Sequence, residues 1–354
     1  MTENSDKNKN VAKVGLFLGC VIPTEQYAYE ISLRRVLPEL GVALEDVDGF
    51  SCCGAPLRSI NLNLSMYLSL RNLAICEMAG LDILAPCPIC HLALTEALNF
   101  YSSCKDLEDG ERYKSMLAEE GLQFKGEIKL YHTLDLLHDV IGLDKIKNQI
   151  KTPLTDIKFA CHYGCHLIRP TDSGRPDNAE HPEKMENILS VLGANMEASL
   201  KYPEKLNCCG GPLILNLPDS ALTKTGQKLQ AIQEQTFDGL VDLCPWGHRL
   251  FDSRQNNAAD TVGAKLDMPV FYLTQLLGLS MGIEPIELGL QLNLSPINKI
   301  EPLGLFPKQE ESGQDTSENT AQTTTTDGAI NSNSNSNTGL ESPQTPDQES
   351  GGGQ

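Results

Sequence analysis

Cys52-Cys53-Gly54 is answered later in the chain by Cys208-Cys209-Gly210, and Cys87-Pro88-Ile89-Cys90 by Cys244-Pro245-Trp246-Gly247. The offset between the copies barely drifts, being 156 positions from Cys53 to Cys209 and 157 from both Cys87 to Cys244 and His91 to His248. A lone cysteine precedes each pair, Cys20 in one copy and Cys165 in the other. Self-similarity at a fixed spacing means one supersecondary unit built twice, so the chain must fold as two related halves.

The local chemistry of each copy points to a metal cluster. Adjacent cysteines do not readily close a disulfide on each other, and the glycine after them permits the positive φ of a tight turn, so both sulfurs can converge. Cys87-Pro88-Ile89-Cys90 follows the apolar run Leu81–Ala85 and opens the amphipathic stretch His91–Leu98. That pattern predicts a strand handing over to a helix with Pro88 in its first turn, where a helix N-terminus favours thiolates and an anionic cluster.

The same reading orders the rest of the chain. Val14–Leu18 is expected to be a strand delivering Cys20 at its C-terminal end, the usual ligand side of an open α/β sheet. Tyr27–Leu40 reads as a helix with Ile31, Val36, Leu37 and Leu40 inward, and Asn61–Ala79 as another, paired with Leu222–Phe237 in the second copy. Cys76 and Cys104 read as packed apolar side chains. A charged insertion lies between Cys104 and Gln123, and Lys129–Thr133 is matched by Val270–Thr274, each before a leucine-rich helix. Lys158–Cys165 overlays Lys13–Cys20, which puts Cys161 on Leu16, a strand position and not a ligand position. Thr171–Pro182 reads as a loop over the site. The expected organisation is a disordered leader over 1–10, a first domain over 11–152, a second over 153–307 and a disordered acidic low-complexity tail over 308–354. The fold class expected is α/β: two pseudo-symmetric halves, each a small, mainly parallel sheet with flanking helices.

Composition narrows the partners. With 354 residues, 40% of them hydrophobic, the chain can bury a real core, and its net charge of −19 argues against nucleic acid and anionic lipid. No stretch approaches the roughly 20 apolar residues of a spanning helix, and Met1–Asn10 lacks the apolar core of a signal peptide. The expectation is a soluble cytoplasmic protein whose twelve cysteines are thiols, ligands or redox centres and not structural disulfides. Gly210-Gly211-Pro212 is not a dinucleotide loop, so electrons must come from a partner.

Zinc takes four ligands and an ordinary cubane four cysteines, whereas the first half offers five: Cys20, Cys52, Cys53, Cys87 and Cys90. The arrangement Cys…Cys-Cys-Gly…Cys-x-x-Cys, with His162-Tyr163-Gly164-Cys165-His166 in order, resembles the CCG-domain proteins and is most similar to the B-subunit of heterodisulfide reductase. The resemblance covers about residues 11 to 290. It implies that Cys20, Cys52, Cys53, Cys87 and Cys90 hold a noncubane [4Fe-4S] cluster, and that a disulfide is cleaved between two such clusters. It also implies an iron–sulfur electron-donor subunit and a flavoprotein as partners. For the second half it implies Cys165, Cys208, Cys209 and Cys244, but Gly247 stands where the family has its last cysteine. An altered cluster, a plain cubane and zinc remain open there, with His248 or an outside ligand available for the vacancy.

Two thiolate products need protons, and His162, His166, His91 and His248 lie next to the expected ligands. Arg58, Arg169 and Arg249 are close enough in sequence to bind an anionic substrate, or to offset cluster charge. The functions in play are a disulfide-reducing subunit, a nonenzymatic electron-transfer subunit of a glycolate-, lactate- or succinate-type oxidoreductase, and a zinc-stabilised interaction protein.

Overall fold

The computed structural model describes residues 11–300 and Leu303, so the expected disordered leader and tail lie outside the described residues. In the first half β1 (Lys13–Leu16), β2 (Ala43–Glu45), β3 (Asp82–Leu84) and β4 (Leu130–Tyr131) form a parallel sheet ordered β2-β1-β3-β4. In the second, β5 (Phe159–His162), β6 (Gly239–Asp242) and β7 (Val270–Tyr272) form a parallel sheet ordered β5-β6-β7. Every residue of β5, β6 and β7 is buried, which is why these strands read as unbroken apolar runs and not as alternations. Gly15 stands opposite Ile83 in one sheet and Ala160 opposite Leu240 in the other, the positions that the cysteine repeats equate.

The helices repeat as well. Leu62–Met78 and Pro218–Glu234 are both 17 residues long. Asn61 caps the first by accepting the Leu64 N–H at 3.0 Å. The second starts at Pro218 and not at the expected Leu222, because a proline's fixed φ and missing N–H suit the first turn of a helix. It stops at Glu234, short of Phe237, and Thr236 just beyond takes a positive φ of 57°. The expected strand Val14–Leu18 ends at Leu16, and Gly19 turns the chain at φ 71°.

The Tyr27–Glu39 helix lies against both halves. Tyr29 Oη donates to Thr133 Oγ1 at 3.0 Å, just after β4, while Ser32 Oγ shares a 2.6 Å hydrogen bond with Thr274 Oγ1, just after β7. The Tyr29 ring stacks on Tyr272 with centroids 4.4 Å apart, and Tyr272 Oη donates to Gln26 Oε1 at 2.7 Å. Leu33, Val36 and Leu37 are fully buried beneath this helix, each stabilising the fold by about 1.5–3 kcal/mol, whereas Ile31 is only half-buried. One hydrophobic core cluster runs from Leu16 in the first sheet to Phe159 and Phe271 in the second, and a smaller one packs Ala160, Leu240 and Val270 with Leu229 and Phe251.

Candidate functional site

Each Cys-Cys-Gly loop is built by the helix that follows it. Gly54 has φ 86°, and a Cβ there would lie 2.4 Å from the Ser65 carbonyl oxygen; Gly210 has φ 90° and would meet the Ala221 carbonyl oxygen at 2.7 Å. Only glycine allows the loop this close to its helix. In the first half three buried polar side chains on one helix face hold the loop's carbonyls: Ser65 Oγ donates to Gly54 O at 2.9 Å, Ser69 Oγ to Cys53 O at 2.6 Å and Asn72 Nδ2 to Cys52 O at 3.1 Å. In the second, Thr225 Oγ1 donates to Cys209 O at 2.8 Å, as Ser69 does to Cys53. Backbone amides also point at sulfur, from Gly54 to Cys52 Sγ at 3.5 Å and from Gly210 to Cys208 Sγ at 3.3 Å.

The Cys-x-x-Cys segment is the strand-to-helix handover that its sequence implies. Cys87 is the N-cap of the helix Pro88–Cys104 and Cys90 sits in its first turn. A Cβ on Gly19 would lie 2.7 Å from Cys90 Sγ, so this glycine admits the sulfur. Cys244 is likewise the N-cap of Pro245–His248. The halves meet at Gly164, whose Cβ would lie 3.2 Å from Cys244 Cβ and 3.8 Å from Pro88 Cγ.

All twelve cysteines are free. In the first set Cys53 is pulled well below the ordinary thiol value by hydrogen bonds from the Cys52 and Cys90 thiols, against the opposing effect of burial. In the second, Cys208 is pulled down in the same way by Cys165 and Cys209. Each set therefore brings its cysteine side chains within reach of one another. Among the described residues no three His, Cys, Asp or Glu side chains gather as ligands of a single ion. Cys76 and Cys161 are fully buried and Cys104 nearly so, and Cys161 lies within β5 beside Ser199 and Glu186.

A cavity of about 530 Å³ is lined by all five first-set cysteines and also by second-half residues, among them His166, Leu215 and Trp246. A second cavity of about 560 Å³ shares Arg58, Glu96 and His166 with it and reaches Cys165. Of the four histidines expected to supply protons, His166 alone lines these two cavities. Its Nδ1 lies 3.3 Å from Cys165 Sγ, and burial pushes its pKa down. His91 is buried beside His132, and Arg175 Nη2 approaches its Nδ1 at 3.3 Å. His248 is buried under Cys244, 3.2 Å from Asp242 and stacked on Tyr272 at 3.7 Å. Burial opposes its charge, but Asp242 and Asp252 outweigh that and raise its pKa. His162 is buried with Nδ1 2.9 Å from Lys228 Nζ.

The three arginines each face a carboxylate: Arg58 pairs with Glu96, Arg169 lies 3.6 Å from Glu180, and Arg249 lies 2.6 Å from Glu25 over the Trp246 ring. The loop expected over the site does fold back, with Arg175 donating to His166 O at 3.0 Å and to Thr95 Oγ1 at 2.9 Å. Sequence reasoning missed Arg175, Lys228 and the Ser65–Ser69–Asn72 row, since polar residues in a helix or loop read as solvent-facing. Aligning the halves position by position would have flagged Lys228, which falls on Asn72.

Fold and thiols together define a duplicated, cysteine-rich redox protein. The CCG cysteine-rich domain family matches the chain twice, over residues 14–95 and 159–248. The B-subunit of the ferredoxin/F420H2-dependent CoB-CoM heterodisulfide reductase of Methanosarcina acetivorans is 33% identical, covering 80% of this chain and 94% of that one. The chain belongs to the heterodisulfide reductase B-subunit family of CCG proteins. The 8-methylmenaquinol:fumarate reductase membrane anchor subunit of Wolinella succinogenes is 29% identical over 80% of this chain and 97% of its own. A hypothetical protein from Helicobacter pylori shares the fold, with TM-score 0.64 and 14% identity, over 81% of this chain and 53% of that one. Despite the Wolinella protein's name, no helix among the described residues is long and apolar enough to cross a membrane.

Proposed function

We propose that this chain is the disulfide-reducing iron–sulfur subunit of a multi-subunit reductase, with Cys20, Cys52, Cys53, Cys87 and Cys90 holding one cluster, of the noncubane [4Fe-4S] type, and Cys165, Cys208, Cys209 and Cys244 a second. The observation that carries this reading is the cavity the halves share, lined by all five first-set cysteines and also by His166 and Trp246. Four thiols running Cys52–Cys53–Cys90–Cys87, with Cys20 beside Cys87 and Cys53, suit a polynuclear group better than one ion. Such groups supply single electrons, delivered here by a partner subunit. Cleaving R–S–S–R′ to two thiols consumes two electrons and two protons, and His166 is placed to pass protons into the cavity. Ala93, Leu92 and Leu215 contribute an apolar part to the lining of that cavity.

Anaerobic purification with iron, sulfide and zinc analysis tests this reading, together with EPR of the oxidised protein with and without an added thiol or disulfide. About eight irons per chain, two four-iron clusters, and a thiol-responsive signal support it. Zinc alone under anaerobic handling overturns it. Gly247 favours a second reading, a relay subunit that passes electrons without binding a disulfide. Two loaded sites whose spectra ignore every small thiol and disulfide would establish that one instead.

A further inference from the structure

Three positions change together between the halves. Phe17, Asn72 and Cys90 of the first become His162, Lys228 and Gly247 of the second. Phe17 packs edge-on against Phe50 with centroids 5.1 Å apart, and Asn72 holds the Cys52 carbonyl. His162 and Lys228 are 1% and 3% exposed and hydrogen-bonded to each other. Lys228 Nζ also reaches Lys205 O at 3.2 Å and Asn207 O at 3.0 Å.

Those three partners use all three N–H bonds of an ammonium, so His162 Nδ1 is an acceptor and the neutral imidazole carries its proton on Nε2. Nε2 is buried and has no hydrogen-bond partner. The ring packs against Gly247, where a Cβ would lie 3.2 Å from Nε2 and 3.1 Å from Cδ2, so His162 takes the room that a side chain there would need. A buried N–H without an acceptor costs about 1–3 kcal/mol, which is recovered when an acceptor is bound there. Cys208, one of the second set, lies close enough to act electrostatically on the ring.

We propose that His162, oriented by Lys228, donates its Nε2–H to a sulfur of the group held by Cys165, Cys208, Cys209 and Cys244, occupying with a neutral donor the place that the Cys90 thiol has in the first half. The inference rests on the reading that the second set holds an iron–sulfur group. One thiolate fewer, a hydrogen bond to sulfur and a buried cation behind it all raise a reduction potential. The second site is then the electron-accepting end of the pair.

The full chain is reconstituted anaerobically with ¹⁵N-histidine, and iron and sulfide are counted first. Iron sufficient for the first set alone overturns the two-site reading and this inference with it. With both sets loaded, pulsed EPR of the reduced protein is expected to show a weak nitrogen coupling, lost in His162→Phe, which installs the first half's residue. Redox titration followed by EPR is expected to show the second-site potential falling toward the first in His162→Phe and in Lys228→Asn, and falling less in His162→Gln, which keeps a side-chain N–H. First-site potential stays unchanged as the internal control. If His162→Phe fails to load its second set, the Gln and Asn variants carry the comparison. A strong coupling from a direct iron–nitrogen bond, no nitrogen coupling at all, or a second-site potential indifferent to both His162→Gln and Lys228→Asn overturns the proposal.

Discussion

The two halves agree most closely at the cysteine pair and diverge most at the last cysteine. Ser69 and Thr225 occupy equivalent turns and do the same thing, donating to the carbonyl of the pair's second cysteine at 2.6 and 2.8 Å. Around that contact the halves part: Ser65 faces Ala221, Asn72 faces Lys228 and Cys90 faces Gly247. The difference teaches that the loop needs its glycine and one hydroxyl to form, while everything that tunes what the loop holds is free to differ.

The severest way to break this comparison is to put a side chain on either loop glycine. Gly54→Ala and Gly210→Ala each combine a left-handed φ with a Cβ driven into a helix carbonyl, and roughly 2–5 kcal/mol of stability is expected to go in both. Urea unfolding of the two variants measures this, and a tolerated change in either half would mean that the loops are not equivalent.

Next comes acid sensitivity at a position where the halves differ. His132 is fully buried, accepting the Leu134 N–H on Nδ1 at 3.1 Å and facing the Pro86 carbonyl with Nε2 at 2.8 Å, beside Cys87. Burial pushes its pKa down to about 3. Its unfolded value is about 6.5, so the unfolded chain binds the extra proton between those limits. The stability from neutral His132 is complete above about 6.5 and is lost as pH falls toward about 3. The second half has Leu273 there. Unfolding curves across this range should have a shallower acid limb in His132→Leu, and an unchanged limb would count against the buried neutral ring.

Smaller effects sharpen the comparison further. Ser69→Ala and Thr225→Val each leave a buried carbonyl without its donor, for an expected loss of about 1–3 kcal/mol in either half. Ser65→Ala should cost about 1 kcal/mol, while the reciprocal Ala221→Ser should change stability little. Thermal unfolding of this set would show whether the first loop's extra hydroxyl is used.

Much of this was legible in the sequence because backbone requirements leave marks. Glycine after paired cysteines and proline after Cys87 and Cys244 announced the turns, and the constant offset announced the duplication. The Asn61–Ala79 helix is legible almost to its ends, spanning Leu62–Met78, whereas the helix expected over Leu222–Phe237 spans Pro218–Glu234. The surroundings of the thiols were less legible. His91 and His248 looked equivalent by position, yet one lies against Arg175 and the other is enclosed by Asp242 and Tyr272. His166 was separated from the rest only by which cavity its ring enters, which depends on how the halves pack and not on local pattern.

That packing has a consequence for whatever lies between the thiol sets. Both walls hang on one spine, the Tyr27–Glu39 helix, through Tyr29 on one side and Ser32 on the other. A jaw hinged between two domains adapts its gape to its occupant. Here the walls share one helix, one aromatic stack and one apolar core, so the spacing of the two thiol sets is expected to change little on binding.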